Sequence, residues 1–166
     1  FNIQGAVMHI EFQKTMQQLA AAQVSGLGDV VKEVSDFTPI DFRVGVQWLV
    51  AQNNPHLAQA LAEAGLSLYP DSEDILVISG LLAMTREDWP LAIELLQDLV
   101  KVQKERVQPM TCQMLARAWA CNLDMDQAHT VLDSALKIWP DNETLIQEKN
   151  TLTLSSLAMA ASPETH

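Results

Sequence analysis

The sequence predicts an all-α protein: a right-handed α-α superhelix (solenoid) of about three helix pairs, with N-terminal helices before them and a C-terminal capping helix after. Two observations lead there. The phrase "LSLYPDSED" (Leu66 to Asp74) returns as "LKIWPDNET" (Leu136 to Thr144), placing Pro70 and Pro140 70 residues apart. Small residues also recur in pairs 12 apart: Gly80 with Ala92, Ala116 with Ala128 and, less cleanly, Val46 with Ala58. The second members of these pairs, Ala58, Ala92 and Ala128, are 34 and 36 residues apart, so a repeat of half the 70-residue spacing runs through the chain.

The elements follow in order. Met8 to about Val24 reads as an amphipathic helix with Ile10, Phe12, Met16 and Leu19 toward a core, and "SGLGD" (Ser25 to Asp29) breaks it. A short helix is expected over about Val30 to Ser35, completing an N-terminal segment 1–38. "FNIQGAV" precedes Met8, and the sequence leaves open whether Met8 is the natural start. Helix pairs are expected over 39–72, 73–108 and 109–142. Two antiparallel helices approach closely only where the facing side chains are small, so Gly80 against Ala92 and Ala116 against Ala128 are crossing points, with Leu96, Leu99 and Leu132 filling the space beside them. Proline disfavours helix at the preceding residue, so Tyr69 and Trp139 end their helices. Asp71 and Asp141 are then expected to cap the next ones. The middle repeat has Lys104 where the others have proline, and two extra residues in "KVQKERVQP" lengthen it. A polar-faced capping helix is expected over 144–161, with 162–166 a tail.

These residues resemble the tetratricopeptide repeat, a helix–turn–helix unit of 34 residues with the pattern W-x2-L-G-x2-Y, A-x3-F, P. Leu115-Ala116, Trp119, Ala128-x3-Leu132 and Pro140 follow it in the third repeat. The second keeps Gly80, Ala92 and Leu96, and the first keeps Ala58, Gly65 and Pro70 with Gly45-Val46 for L-G. Phe42, Leu76 and Cys112 stand where the family has its first Trp. The resemblance covers about Pro39 to Glu143. It implies a non-enzymatic protein that binds a partner segment in a concave groove lined by the first helix of each pair. The groove positions it implies are Ile40, Arg43, Gln47 and Val50, then Asp74, Val77, Leu81, Met84 and Thr85, then Met110, Gln113, Arg117 and Ala120. Of these, Arg43, Gln47, Val77, Leu81, Met84, Met110, Gln113 and Arg117 are the expected partner-binding set. The Lys and Asn clamp of heat-shock co-chaperones is absent. Val77, Leu81 and Met84 read equally as side chains packed on the N-terminal helices.

Size, acidity and the N-terminal helical region together resemble the tetratricopeptide chaperones of type III secretion systems. That likeness implies a cytoplasmic protein that keeps an exported protein soluble and dimerises through its N-terminal helices. The other reading is a permanent assembly or regulatory subunit with the repeats as scaffold.

Composition bounds the partners. A net charge of −11 with 48% hydrophobic residues fits a protein ligand and repels nucleic acid and anionic membrane. Cys112 and Cys121, if on one helix, lie roughly 13 Å apart, beyond the about 7 Å a disulfide spans, so free thiols in a reducing compartment are expected. No signal peptide is read, and the apolar run Ile75 to Met84 is short of the ~18 residues of a membrane span. His9, His56, His129 and His166 show no metal-ligand spacing, and no phosphate loop or nucleophile motif occurs, so no cofactor, metal or catalytic residue is expected.

Overall fold

The computed structural model describes Lys14, Met16 and residues 34–161. Val34 to Asp36 form a turn, closed by the Phe37 amide donating to the Val34 carbonyl at 2.9 Å. Most of the expected N-terminal helices, with Ile10, Phe12 and Leu19, and the tail 162–166 lie outside the described residues. Seven α-helices follow: α1 (Pro39–Ala51), α2 (Pro55–Leu68), α3 (Glu73–Thr85), α4 (Trp89–Gln103), α5 (Pro109–Cys121), α6 (Met125–Ile138) and α7 (Glu143–Ala161), with a 3-10 turn at Lys104–Arg106 after α4. No strand occurs among the described residues. The helices fall into two compact units, Phe1–Leu82 and Ala83–His166.

Local chemistry sets the helix starts. Thr38 and Asp41 form a reciprocal capping box at α1, with Pro39 in the first turn, where its missing N–H is not needed. Asn54, Asp88 and Asp124 cap α2, α4 and α6, their side-chain oxygens accepting from Leu57, Leu91 and Gln127 amides. Each cap follows a residue in left-handed backbone: Asn53 (φ 57°), Glu87 (φ 60°) and Leu123 (φ 65°). The turn inside each pair is therefore one device used three times.

The turn between pairs corrects one expectation. Tyr69 and Trp139 do leave the helix, at φ −135° and −124°. Asp71 and Asp141 do not sit at the cap. Ser72 N–H reaches the Tyr69 carbonyl, and Asn142 N–H the Trp139 carbonyl, both at 3.2 Å. Pro-Asp thus fills the centre of a four-residue turn, where proline's fixed φ suits the second position. The cap moves one residue on: Asn142 Oδ1 accepts from the Leu145 amide at 3.1 Å.

In the first unit the core gathers Met16, Val34, Phe37, Phe42, Val46, Leu49, Leu61 and Ile75. α1 comes close to α2 at Gly45, next to the expected Val46, which is itself fully buried with Ala58 in this core. A Cβ at Gly45 would lie 2.8 Å from Leu61 Cδ2 and 3.2 Å from Met16 Sδ. Gly65 plays the same part between α2, Phe42 of α1 and Ile75 of α3, each at 3.2 Å. Phe42 meets Phe37 and Tyr69 edge-on at 5.6 and 6.1 Å, and the Tyr69 hydroxyl donates to the Phe37 carbonyl. Met16, helical and fully buried in this cluster, belongs to the expected N-terminal helix.

In the second unit Ala116 and Ala128 are both fully buried, in one cluster with Leu132, Ala135, Leu145 and Leu152. Ala92, Leu96 and Leu99 are buried too, as is Gly80 in the first unit. The two extra residues of the middle repeat are absorbed by the 3-10 turn, entered through Lys104 at φ 54°. Behind it the buried Thr111 hydroxyl donates to Gln103 Oε1 at 2.9 Å. The outer face of α7 is only partly polar: Gln147, Asn150, Thr151 and Thr153 are exposed, and so are Leu154, Leu157 and Met159.

Candidate functional site

The first helices carry the expected binding set, and each unit presents its own part of it. In α1 the sequence "PIDFRVGVQWLVA" buries Phe42, Val46 and Leu49. Helical geometry then turns Ile40, Val44, Gln47 and Val50 outward, with the three aliphatics 54%, 38% and 46% exposed. Val44 was not among the expected positions. Arg43 lies half-buried beside them, and its Nη1 donates to Asp74 Oδ1 of α3 at 2.6 Å. In α3 the buried residues are Ile75, Leu76, Ile78, Ser79, Gly80, Leu82 and Ala83, leaving Val77 and Met84 half-buried and Leu81 and Thr85 exposed. The side chains read as either groove or core are therefore mainly neither buried nor bare. Val77 and Leu81 each lie between two buried residues, and Met84 follows the buried Ala83.

In the second unit Met110 is exposed and Gln113 half-buried. They line a cleft of about 120 Å³ together with Pro109, Asn142, Thr144 and Leu145. One turn further along α5, Arg117 donates from Nε and Nη2 to Glu148 of α7 at 3.1 and 2.7 Å. Gln113 Nε2 donates to the same carboxylate at 3.1 Å. Glu148 is 9% exposed and Arg117 53% exposed, so the carboxylate is sunk and the guanidinium covers it. Burial alone pushes the Glu148 carboxyl up, but the hydrogen bonds from Arg117 and Gln113 and the Arg117 charge outweigh it and hold the group below its ordinary value. Arg117 is raised mainly by its bond to Glu148. Ala120 is half-buried.

Arg43–Asp74 and Arg117–Glu148 are each 31 residues apart. Both join one first helix to the next across a 34-residue offset less one helical turn. Sequence reading found both arginines and missed Glu148 as a partner. The 31-residue spacing was the available signal. It was hidden because the two pairs sit one turn apart along their helices, so the repeat period does not superpose them.

Cys112 and Cys121 are free thiols, the first half-buried and raised by that burial. Among the described residues no His, Cys, Asp and Glu cluster could hold a metal ion, and no helix is long and apolar enough to cross a membrane.

The fold is similar to that of the N-terminal domain of stress-induced protein-1 (STI-1) from C.elegans, with a TM-score of 0.60 over 69% of this chain and 94% of that one, at 14% identity. The fold is tetratricopeptide-like. No protein-family model and no curated protein matches the sequence.

Proposed function

We propose that this chain is a non-enzymatic protein-interaction module. Its first helices receive a mainly apolar segment of a partner protein, and its most concrete role is that of a cytoplasmic chaperone for a type III secretion substrate. The observation that carries the reading is the run of aliphatic side chains that α1 turns into solvent at Ile40, Val44 and Val50; in the second unit α5 likewise exposes Met110. Aliphatic faces of this sort bind apolar segments by removing surface from water. Methionine adapts to irregular shapes. Arg43 and Arg117, each anchored by an acid, hold their guanidinium groups in place beside these faces with further N–H donors to offer backbone carbonyls or carboxylates. The tetratricopeptide-like fold and the acidity fit the chaperone role.

The test is affinity capture from the source cells, then binding of the captured protein to a Leu81→Ser, Met84→Ser double variant and an Ile40→Ser, Val44→Ser one. The expected result is weakening of more than about tenfold, since each aliphatic anchor contributes roughly 1.5–3 kcal/mol, with circular dichroism unchanged. Unchanged affinity in both variants refutes the groove. A captured partner that is not exported refutes the secretion role alone.

Exposed apolar residues away from the first helices, Leu123 (81%) and Ile138 (65%), favour a second reading as a permanently docked subunit. Such a subunit aggregates when purified alone. A chaperone remains soluble.

A further inference from the structure

α7 begins 34 residues after α5, and Arg117–Glu148 ties the two helices together. It therefore stands as the first helix of a fourth pair. In α5 the residues packed in one cluster with Ala128, Leu132 and Ala135 of α6 are Cys112, Ala116, Trp119 and Ala120. The same step of 34 places Ile146, Asn150, Thr153 and Leu154 at those positions in α7, and all four are exposed. The face that α6 covers on α5 is thus bare on α7. α7 is also 19 residues long where α1, α3 and α5 are 13, and Leu157 lies in the added length, 62% exposed.

Three features of this face say what covers it. First, Ile146, Asn150, Thr153 and Leu157 follow the spacing i, i+4, i+7, i+11 and form one stripe. The stripe is symmetric about a point between Thr151 and Leu152, with an apolar residue at each end and an amide and a hydroxyl inside. A second α7 laid antiparallel on it sets Ile146 against Leu157 and Asn150 against Thr153, twice over. This is the self-complementarity a two-fold interface requires. Second, the chain has a net charge of −11, yet residues 150–161 carry no charged side chain, so two copies meeting along this part of α7 add little repulsion. Third, the hydroxyls of Thr151, Thr153, Ser155 and Ser156 each donate to the carbonyl four residues back. Their protons are satisfied inside the helix, and Thr153 offers mainly its methyl group outward.

From this we infer that α7 pairs antiparallel with α7 of a second copy of this chain, through the stripe Ile146, Asn150, Thr153 and Leu157. The second α7 takes the place that α6 has on α5, where the packed helices also run in opposite directions. One helix pair buries less than the about 1,200 Å² of a standard stable interface, so the dimer is a weak one in the micromolar range or above. The inference does not rest on the groove reading.

Light scattering and sedimentation of the full chain over a concentration series should show a monomer–dimer equilibrium. Leu157→Glu should raise its dissociation constant about tenfold or more, with circular dichroism unchanged because the residue is exposed. A Cys112→Ala, Cys121→Ser background then carries Asn150→Cys in one preparation and Thr153→Cys in another. Under mild oxidation the mixture should give more cross-linked dimer than either preparation alone. A parent chain that stays monomeric up to about 0.5 mM overturns the inference. So does a Leu157→Glu variant that dimerises like the parent, the result expected if the N-terminal helices or the groove face hold the copies together. So does cross-linking of the single preparations as readily as of the mixture.

Discussion

Replacing Arg117 by Ala should destabilise the protein more than replacing its partner, Glu148, by Gln. The reason is the unequal depth of the pair. Glu148 is 9% exposed and Arg117 53% exposed. Without Arg117 the buried carboxylate keeps only the Gln113 amide. Breaking a fully buried pair costs about 3–5 kcal/mol. Solvent around the half-exposed guanidinium discounts this to about 2–3 kcal/mol. Gln at 148 keeps acceptor and shape, so Glu148→Gln should cost about 1 kcal/mol. Chemical and thermal denaturation followed by circular dichroism measure both. At about 2–4 °C per kcal/mol, the Arg117→Ala midpoint falls by roughly 4–12 °C. The pH dependence is the sharper readout. In the parent the Glu148 carboxyl lies below its ordinary value, so its stabilisation is present above the unfolded value of about 4.3 and is lost as pH falls through the folded one. In Arg117→Ala burial is left as the main influence and pushes the carboxyl up, so acid harms that variant less. Its deficit should narrow between pH 7 and about pH 3.5. Equal losses for the two substitutions at pH 7, or a deficit that does not change with pH, would refute the unequal-depth argument.

Leu123→Asn should stabilise by up to about 1 kcal/mol in thermal melts, because Leu123 holds φ 65° while 81% exposed and Asn53 occupies the same turn position in the first pair. Gly45→Leu should cost on the order of 1–3 kcal/mol by overpacking against Leu61 and Met16; an unchanged midpoint would mean that α1 and α2 do not cross there. Deleting residues 1–24 removes fully buried Met16 and should produce aggregation or a changed mass in light scattering. Asp124→Ala should lower stability by about 1 kcal/mol through loss of the bond from the Gln127 amide.

The repeat itself was legible in the sequence. Helix pairs are local objects: prolines, caps and small residues at a 12-residue spacing act within one repeat, so their marks recur at the repeat period. Ala116, Ala128, Leu96, Leu99 and Leu132 are buried as their spacing indicates. What escaped depends on neighbours distant in the chain. Gly45 stands at a close crossing because Met16 and Leu61 converge on it. Asn142 caps α7 because Pro-Asp is used up in the turn before it. Arg43 and Arg117 were visible as groove cations, but their anchors lie 31 residues on, a separation that only the stacking of successive first helices brings within hydrogen-bond reach. The outer face of α7 shows the same division. Its composition reads as a polar cap, while the exposure of Ile146, Leu154 and Leu157 follows from its standing where a first helix stands, with no second helix beside it among the described residues. Periodicity determines which residues share a helix face. Whether that face is core, groove or bare surface is decided by which other helices arrive to cover it.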